Sequence, residues 1–263
     1  MALASIRPAA VAGQFYPRDE RVLRTQLAEM LSTAVAFEAA PEPKAIIVPH
    51  AGYMYSGPVA ASAYALLAPM RERIRRVVML GPTHRVAVRG FSLPAAQCFS
   101  TPLGEVPLAR AEWEALQARA DVLVDDRPHA FEHCLEVQLP FLQVSLERFE
   151  IVPVLVGDAS PEATAGLIES LWGGPETLIL ISSDLSHYLS YREAQWSDRA
   201  AVDQVLELRA GLDHEQACGA TPINGLLLGP QAPPAGPPAG PAQLRRHRGR
   251  PLARRRLHQH RLL

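Results

Sequence analysis

The sequence predicts an α/β domain: a central, largely parallel or mixed sheet flanked by helices. Three observations lead there. Four short apolar runs have the length and continuous apolarity of strands buried on both faces. Stretches of helical period lie between them, and strands alternating with helices favour parallel pairing through right-handed crossovers. Three of the runs lead at once into histidine or aspartate, which fits an open α/β sheet carrying its ligands beyond the carboxyl ends of its strands.

In chain order, the first helix is expected over Arg21–Leu31, where Leu23, Leu27, Met30 and Leu31 share a face. The strand Lys44–Pro49 follows, then a helix over Pro58–Leu67 that opens after Ser56 and Gly57 with a first-turn proline. The second strand is Arg76–Leu80. Glu132–Arg148 places Leu135, Leu139, Leu142 and Leu146 at helical intervals, with Pro140 expected to kink or interrupt the helix. Strands at Ile151–Val156 and Thr177–Ile181 and a helix from about Tyr191 to Arg209 complete the pattern. The 263 residues, 48% of them hydrophobic, suffice for one large domain or two small ones.

Composition excludes several classes. Eight of the 26 Lys and Arg residues fall in 229–263, where there is no acid, so the rest carries 18 basic against 27 acidic residues, a balance of −9. An acidic body argues against nucleic-acid binding, which needs clustered basic charge. Neither GxGxxG nor GxxxxGK[ST] occurs, so no nucleotide is indicated. No apolar run reaches the roughly 18 to 20 residues that span a bilayer, and Arg7 and Pro8 interrupt the N-terminal apolar stretch. No membrane association and a cytoplasmic location are therefore expected. Cys98, Cys134 and Cys218 are an odd number without paired spacing and read as thiols.

The chemistry gathers at strand ends: Pro49-His50, Gly81-Pro82-Thr83-His84, and Ser182-Ser183-Asp184-Leu185-Ser186-His187. One histidine at a strand end is usually structural, but three such ends point to one shared polar site of His50, His84, Asp184 and His187, with a metal its natural occupant. His133 can face either the crevice or water. Glu132 and Glu136 read as first-turn acids favoured by the helix dipole or as partners orienting a histidine ring. His129 and His214, in loop-like surroundings, read as surface groups, and Cys98 and Cys134 as ordinary thiols. Cys218 precedes Thr221-Pro222, a helix start that gives its thiol a reason to ionise, although such a cysteine in isolation is more often structural.

Taken together, Arg7-Pro8 with GQFYP from Gly13, PHAGYMYSGPVAASAY from Pro49, LGPTHRV from Leu80, EHCLEVQLPFLQ from Glu132, PVLVG from Pro153, SSDLSHY from Ser182 and ACGATPINGLLL from Ala217 resemble the Memo-like proteins. In prokaryotes these are called AmmeMemoRadiSam system protein B. The resemblance covers roughly residues 5–228 and implies a fold like that of class III extradiol (LigB-type) non-heme iron dioxygenases. It implies metal ligands at His50, His84 and Cys218, with Asp184 and His187 beside them and a cysteine where those dioxygenases have a carboxylate. Iron or copper is the implied cofactor, and a radical SAM protein and an AMMECR-like protein are the implied partners. Three functions follow as expectations: a metal-binding component of that system, as a redox enzyme or a metal-handling protein; a dioxygenase-like enzyme with His187 as general acid/base oriented by Asp184; or a peptide-holding module lined by Tyr53, Tyr55 and Tyr188.

The domain is expected to occupy residues 1–228. Residues 229–263 use seven residue types only, with no acid, β-branched residue or aromatic, and read as a frameshifted end replacing the last elements of the domain. The competing reading is a genuine disordered basic tail.

Overall fold

A computed structural model describes residues 5–35 and 41–229, so the expectation for 229–263 lies, past its first residue, outside the described residues. The strands are β1 (Ile6–Arg7), β2 (Ala45–Val48), β3 (Arg76–Pro82), β4 (Phe91–Leu93), β5 (Cys98–Thr101), β6 (Gly104–Pro107), β7 (Val122–Val124), β8 (Glu150–Val156) and β9 (Thr177–Ser182). The helices are α1 (Glu20–Ser32), α2 (Tyr53–Ala65), α3 (Arg110–Gln117), α4 (Asp126–Ala130), α5 (Leu139–Ser145), α6 (Pro161–Ser170), α7 (Tyr191–Leu206) and α8 (Ala220–Leu228). Six strands form the main sheet in the order β2-β9-β3-β8-β4-β7. Its centre is parallel, while β4 runs antiparallel to β8, which makes the sheet mixed. A second sheet has the order β1-β5-β6.

The four apolar runs became β2, β3, β8 and β9, and β9 is buried at every residue. Burial on both faces removes the polar alternation of a half-exposed strand, which is why these runs are continuous. Helix α1 is capped by Asp19, whose side chain accepts from the Val22 amide, and it buries Leu23, Leu27 and Met30. Helix α7 opens on a capping box between Ser190 and Glu193. No helix among the described residues is long and apolar enough to cross a membrane.

Two expected helices differ. Helix α2 starts at Tyr53, five residues before Pro58, which therefore sits inside it. The carbonyl that loses its donor belongs to Met54, an exposed residue where water can replace the missing bond. The stretch 132–148 is not one helix but a turn, a single 3-10 turn at Glu136–Gln138, and α5, with Pro140 in its first turn. The leucine spacing is real, and Leu135, Leu139, Leu142 and Leu146 are all buried. The turn survives because the Glu132 carboxylate accepts from the amides of His133 (2.9 Å) and Cys134 (3.1 Å), replacing helical partners.

A buried polar layer joins the N-terminal segment to that turn. Glu136, fully buried, pairs with the Arg7 guanidinium and accepts from the Tyr16 hydroxyl (2.7 Å) and the amides of Ala10 (2.8 Å) and Val11 (2.9 Å). Arg7 also donates to the carbonyls of His129 (3.0 Å) and Glu132 (2.6 Å). Burial, with the Glu136 charge beside it, raises the Tyr16 pKa and keeps its hydroxyl a donor.

His129 corrects the sequence reading: it is 2% exposed, not a surface group, and its ring nitrogen Nε2 lies 3.2 Å from the Ser92 carbonyl. Burial, reinforced by Arg7, lowers its pKa from 6.5 to about 3. Below about pH 6.5 the unfolded chain therefore binds a proton that the native chain refuses, and stability falls as pH drops toward 3, by up to about 1.4 kcal/mol per unit. Between pH 7 and pH 5 this residue should remove about 2 kcal/mol. Urea unfolding at the two pH values should show a smaller loss in His129→Gln than in the parent; equal losses would contradict the assignment.

Candidate metal centre

The site follows from strand order. β2, β9 and β3 are adjacent and parallel, so their carboxyl ends open on one crevice. β2 delivers His50, β3 delivers His84, and β9 delivers Asp184 and His187. The loop before α8 adds Cys218, because Gly219 lets it approach β9: a Cβ there would sit 2.6 Å from the Ser183 Cβ. The Gly219 amide instead donates to the Ser183 hydroxyl at 2.9 Å.

His50 is 1% exposed. Its Nε2 lies 3.2 Å from the Cys218 sulfur, and its Nδ1 lies 3.0 Å from the Ser182 hydroxyl. The Asp184 carboxylate accepts from the amides of His50 (2.7 Å) and Ala51 (3.3 Å), tying the ends of β2 and β9 together. Its other oxygen lies 3.9 Å from His50 Nε2 and 3.7 Å from Nε2 of His187, which is partly exposed at the mouth. The five sequence-derived site residues thus share one crevice, with His50, Asp184 and Cys218 at its base.

His84 is held from behind by Glu132, whose carboxylate accepts from its amide at 2.8 Å and lies 2.9 Å from its Nδ1. His133, left open by the sequence, faces the crevice and not water. Its ring centroid is 4.7 Å from that of His84 and 5.2 Å from that of His50, while His50 and His84 are 5.1 Å apart. Of the two readings of the acids, Glu132 is a ring-orienting partner, and Glu136 is a first-turn acid of the 3-10 turn whose carboxylate also serves Arg7 and the N-terminal segment. Cys134 is fully buried, its sulfur 3.3 Å from the Pro82 carbonyl, and burial raises its pKa. His214 is exposed as expected, yet its Nδ1 lies 3.3 Å from the Cys218 carbonyl and its Nε2 3.2 Å from the Thr221 hydroxyl, bracing the cysteine loop.

The electrostatics favour a thiolate. Burial raises the Cys218 pKa, but the hydrogen bonds from His50 and His84 outweigh it and bring the thiol down to about 5. Burial opposes the charged form of His84 too, and its contacts with Cys218 and Glu132 win, raising it to about 9. Glu132 is pushed up by burial and held well below the usual carboxylate range by His133 and His84. Imidazoles and a thiolate in one partly shielded crevice form a donor set suited to a borderline or soft transition metal.

Of the tyrosines expected to line a peptide pocket, Tyr53 is a core residue whose hydroxyl donates to the Val137 carbonyl at 2.7 Å. Tyr55 and Tyr188 are exposed, and Tyr188 has a positive φ of 60°.

Fold and crevice together define a class: α/β proteins that gather histidines and one cysteine at the carboxyl edge of the central sheet. A family model described as Memo-like protein matches residues 7–222. A "MEMO1 family protein" of Sulfolobus acidocaldarius is 33% identical over 247 residues, 85% of this chain and 87% of the relative. Others of that name from Aquifex aeolicus (34% over 209 residues, 77% of this chain and 75% of the relative) and Ignicoccus hospitalis (35% over 218 residues, 77% and 76%) agree. The chain belongs to the Memo-like family.

Proposed function

We propose that this Memo-like protein holds one iron or copper ion through His50, His84 and Cys218, and acts as a redox or metal-handling component of a system with a radical SAM protein and an AMMECR-like protein. The observation that carries the metal is the approach of the Cys218 sulfur to His50 Nε2, 3.2 Å across 168 residues of sequence, beside the ring of His84. Two imidazoles and a thiolate suit both metals. When bound, the metal supplies a one-electron couple and a Lewis acid; the chain holds and orients it. Ser182 and Glu132 fix the rings, Asp184 fixes the backbone of His50, and His187 stands at the mouth within reach of a proton on an incoming molecule. The partners rest on the family resemblance alone.

Anaerobic purification and metal analysis should find about one iron or copper ion per chain, lost in His50→Ala and in His84→Ala. Full occupancy in both variants would overturn the ligand set. Iodoacetamide should label Cys218 ahead of the buried Cys98 and Cys134 in metal-free protein, and metal added first should block it. Equal labelling with and without metal counts against its ligation.

The Asp184–His187 pair beside His50 favours a second reading, a dioxygenase-like enzyme with His187 as general acid/base. Oxygen uptake by the iron-loaded protein with catechols, lost in His187→Ala while metal is retained, would select it.

A further inference from the structure

Building on the metal-binding reading, we infer that His133 is a further ligand of the same ion, so that the site consists of three imidazoles and one thiolate. The three rings form a nearly equilateral triangle, with centroids 4.7, 5.1 and 5.2 Å apart, and each offers a nitrogen within 4.8 Å of the others.

Hydrogen bonding decides which nitrogen each ring presents. A neutral imidazole has one donor and one acceptor nitrogen. The Ser182 hydroxyl donates to the Cys134 carbonyl at 2.6 Å and accepts from the Gln138 amide at 2.9 Å. Its hydrogen is committed, so toward His50 Nδ1 it can only accept. His84 Nδ1 and His133 Nδ1 lie 2.9 and 3.1 Å from the same oxygen of Glu132, which as a carboxylate only accepts. Nδ1 of each ring therefore faces an oxygen that can only accept, and Nε2 is the nitrogen left to ligate a metal. A carboxylate or hydroxyl behind each ring is the arrangement that orients metal-bound histidines.

His133 is also held in place. Its amide donates to Glu132 at 2.9 Å, and Phe15 packs on its ring at a centroid distance of 4.8 Å. A histidine serving only to complete the turn needs neither the shared carboxylate nor two other imidazoles in front of it.

The test is X-ray absorption on the full chain loaded with zinc, which counts imidazoles and sulfurs without a variant. Three imidazoles and one sulfur are expected. Two imidazoles and one sulfur with water would overturn the role of His133 and leave the metal reading standing, whereas failure of the parent chain to take up zinc, iron or copper would overturn both. Cobalt(II) titration of His133→Gln gives a second measure: at least about tenfold weaker binding with the thiolate charge-transfer band retained. An unchanged affinity and an unchanged visible spectrum would overturn the proposal.

Discussion

Glu136→Ala is expected to destabilise the fold by about 3–5 kcal/mol, the largest effect of any single substitution considered. The carboxylate is fully buried and serves Arg7, Tyr16 and the amides of Ala10 and Val11. Its removal leaves a guanidinium charge without its ion-pair partner inside the protein, and the amides of buried Val11 and part-buried Ala10 without their acceptor, at about 1–3 kcal/mol for a buried one. For a domain of this size that corresponds to a fall in Tm of about 10 °C. Thermal unfolding followed by circular dichroism measures it, and a shift of only a degree or two would show that water reaches Arg7. Replacing both partners, Arg7→Met with Glu136→Leu, should recover much of the loss, because the desolvation cost of the pair disappears with it.

The second large effect falls on metal affinity. Glu132→Ala deprives the His84 and His133 rings of their common acceptor and three amides, those of His84, His133 and Cys134, of theirs. Loss of such a partner lowers metal affinity by about 10- to 100-fold, and here it releases two rings at once, so the upper end is expected. Glu132→Gln keeps an acceptor oxygen and should lose less. Competition with a chromogenic chelator ranks the three proteins, and parental affinity in Glu132→Ala would remove this residue from the account of the site.

How far the sequence could be read depended on where each residue finds its partners. The four central strands were legible because burial on both faces leaves unbroken apolar runs, and each observed strand begins and ends within two residues of its expected bounds. The crevice was legible for a related reason: adjacent parallel strands bring their carboxyl ends together, so residues after three strand ends meet. β4 to β7 were not legible: β7 has three residues only, and Ser92, Ser100 and Glu105 break the apolar runs of β4, β5 and β6, a run that four-residue β2 keeps unbroken. His129 read as a surface group because its sequence surroundings look like a loop. The residues that enclose it include Arg7 and Ser92, 122 and 37 positions away. The two acids show the same limit, for Glu132 and Glu136 sit four residues apart and serve different networks through distant partners.

The strand order also fixes when the site can exist. β9 lies between β2 and β3, yet it is made last of the three, and its pairing with β2 joins Ala45 to Ile179. Until residues 177–182 emerge and insert, His50 and His84 belong to strands with a gap between them, and neither Ser182 nor Asp184 is present to hold His50. Closing such long loops is slow compared with forming local helices. A chain released before β9 thus carries both histidines without the crevice, and metal competence should arise late in refolding, in the same kinetic phase that completes the sheet.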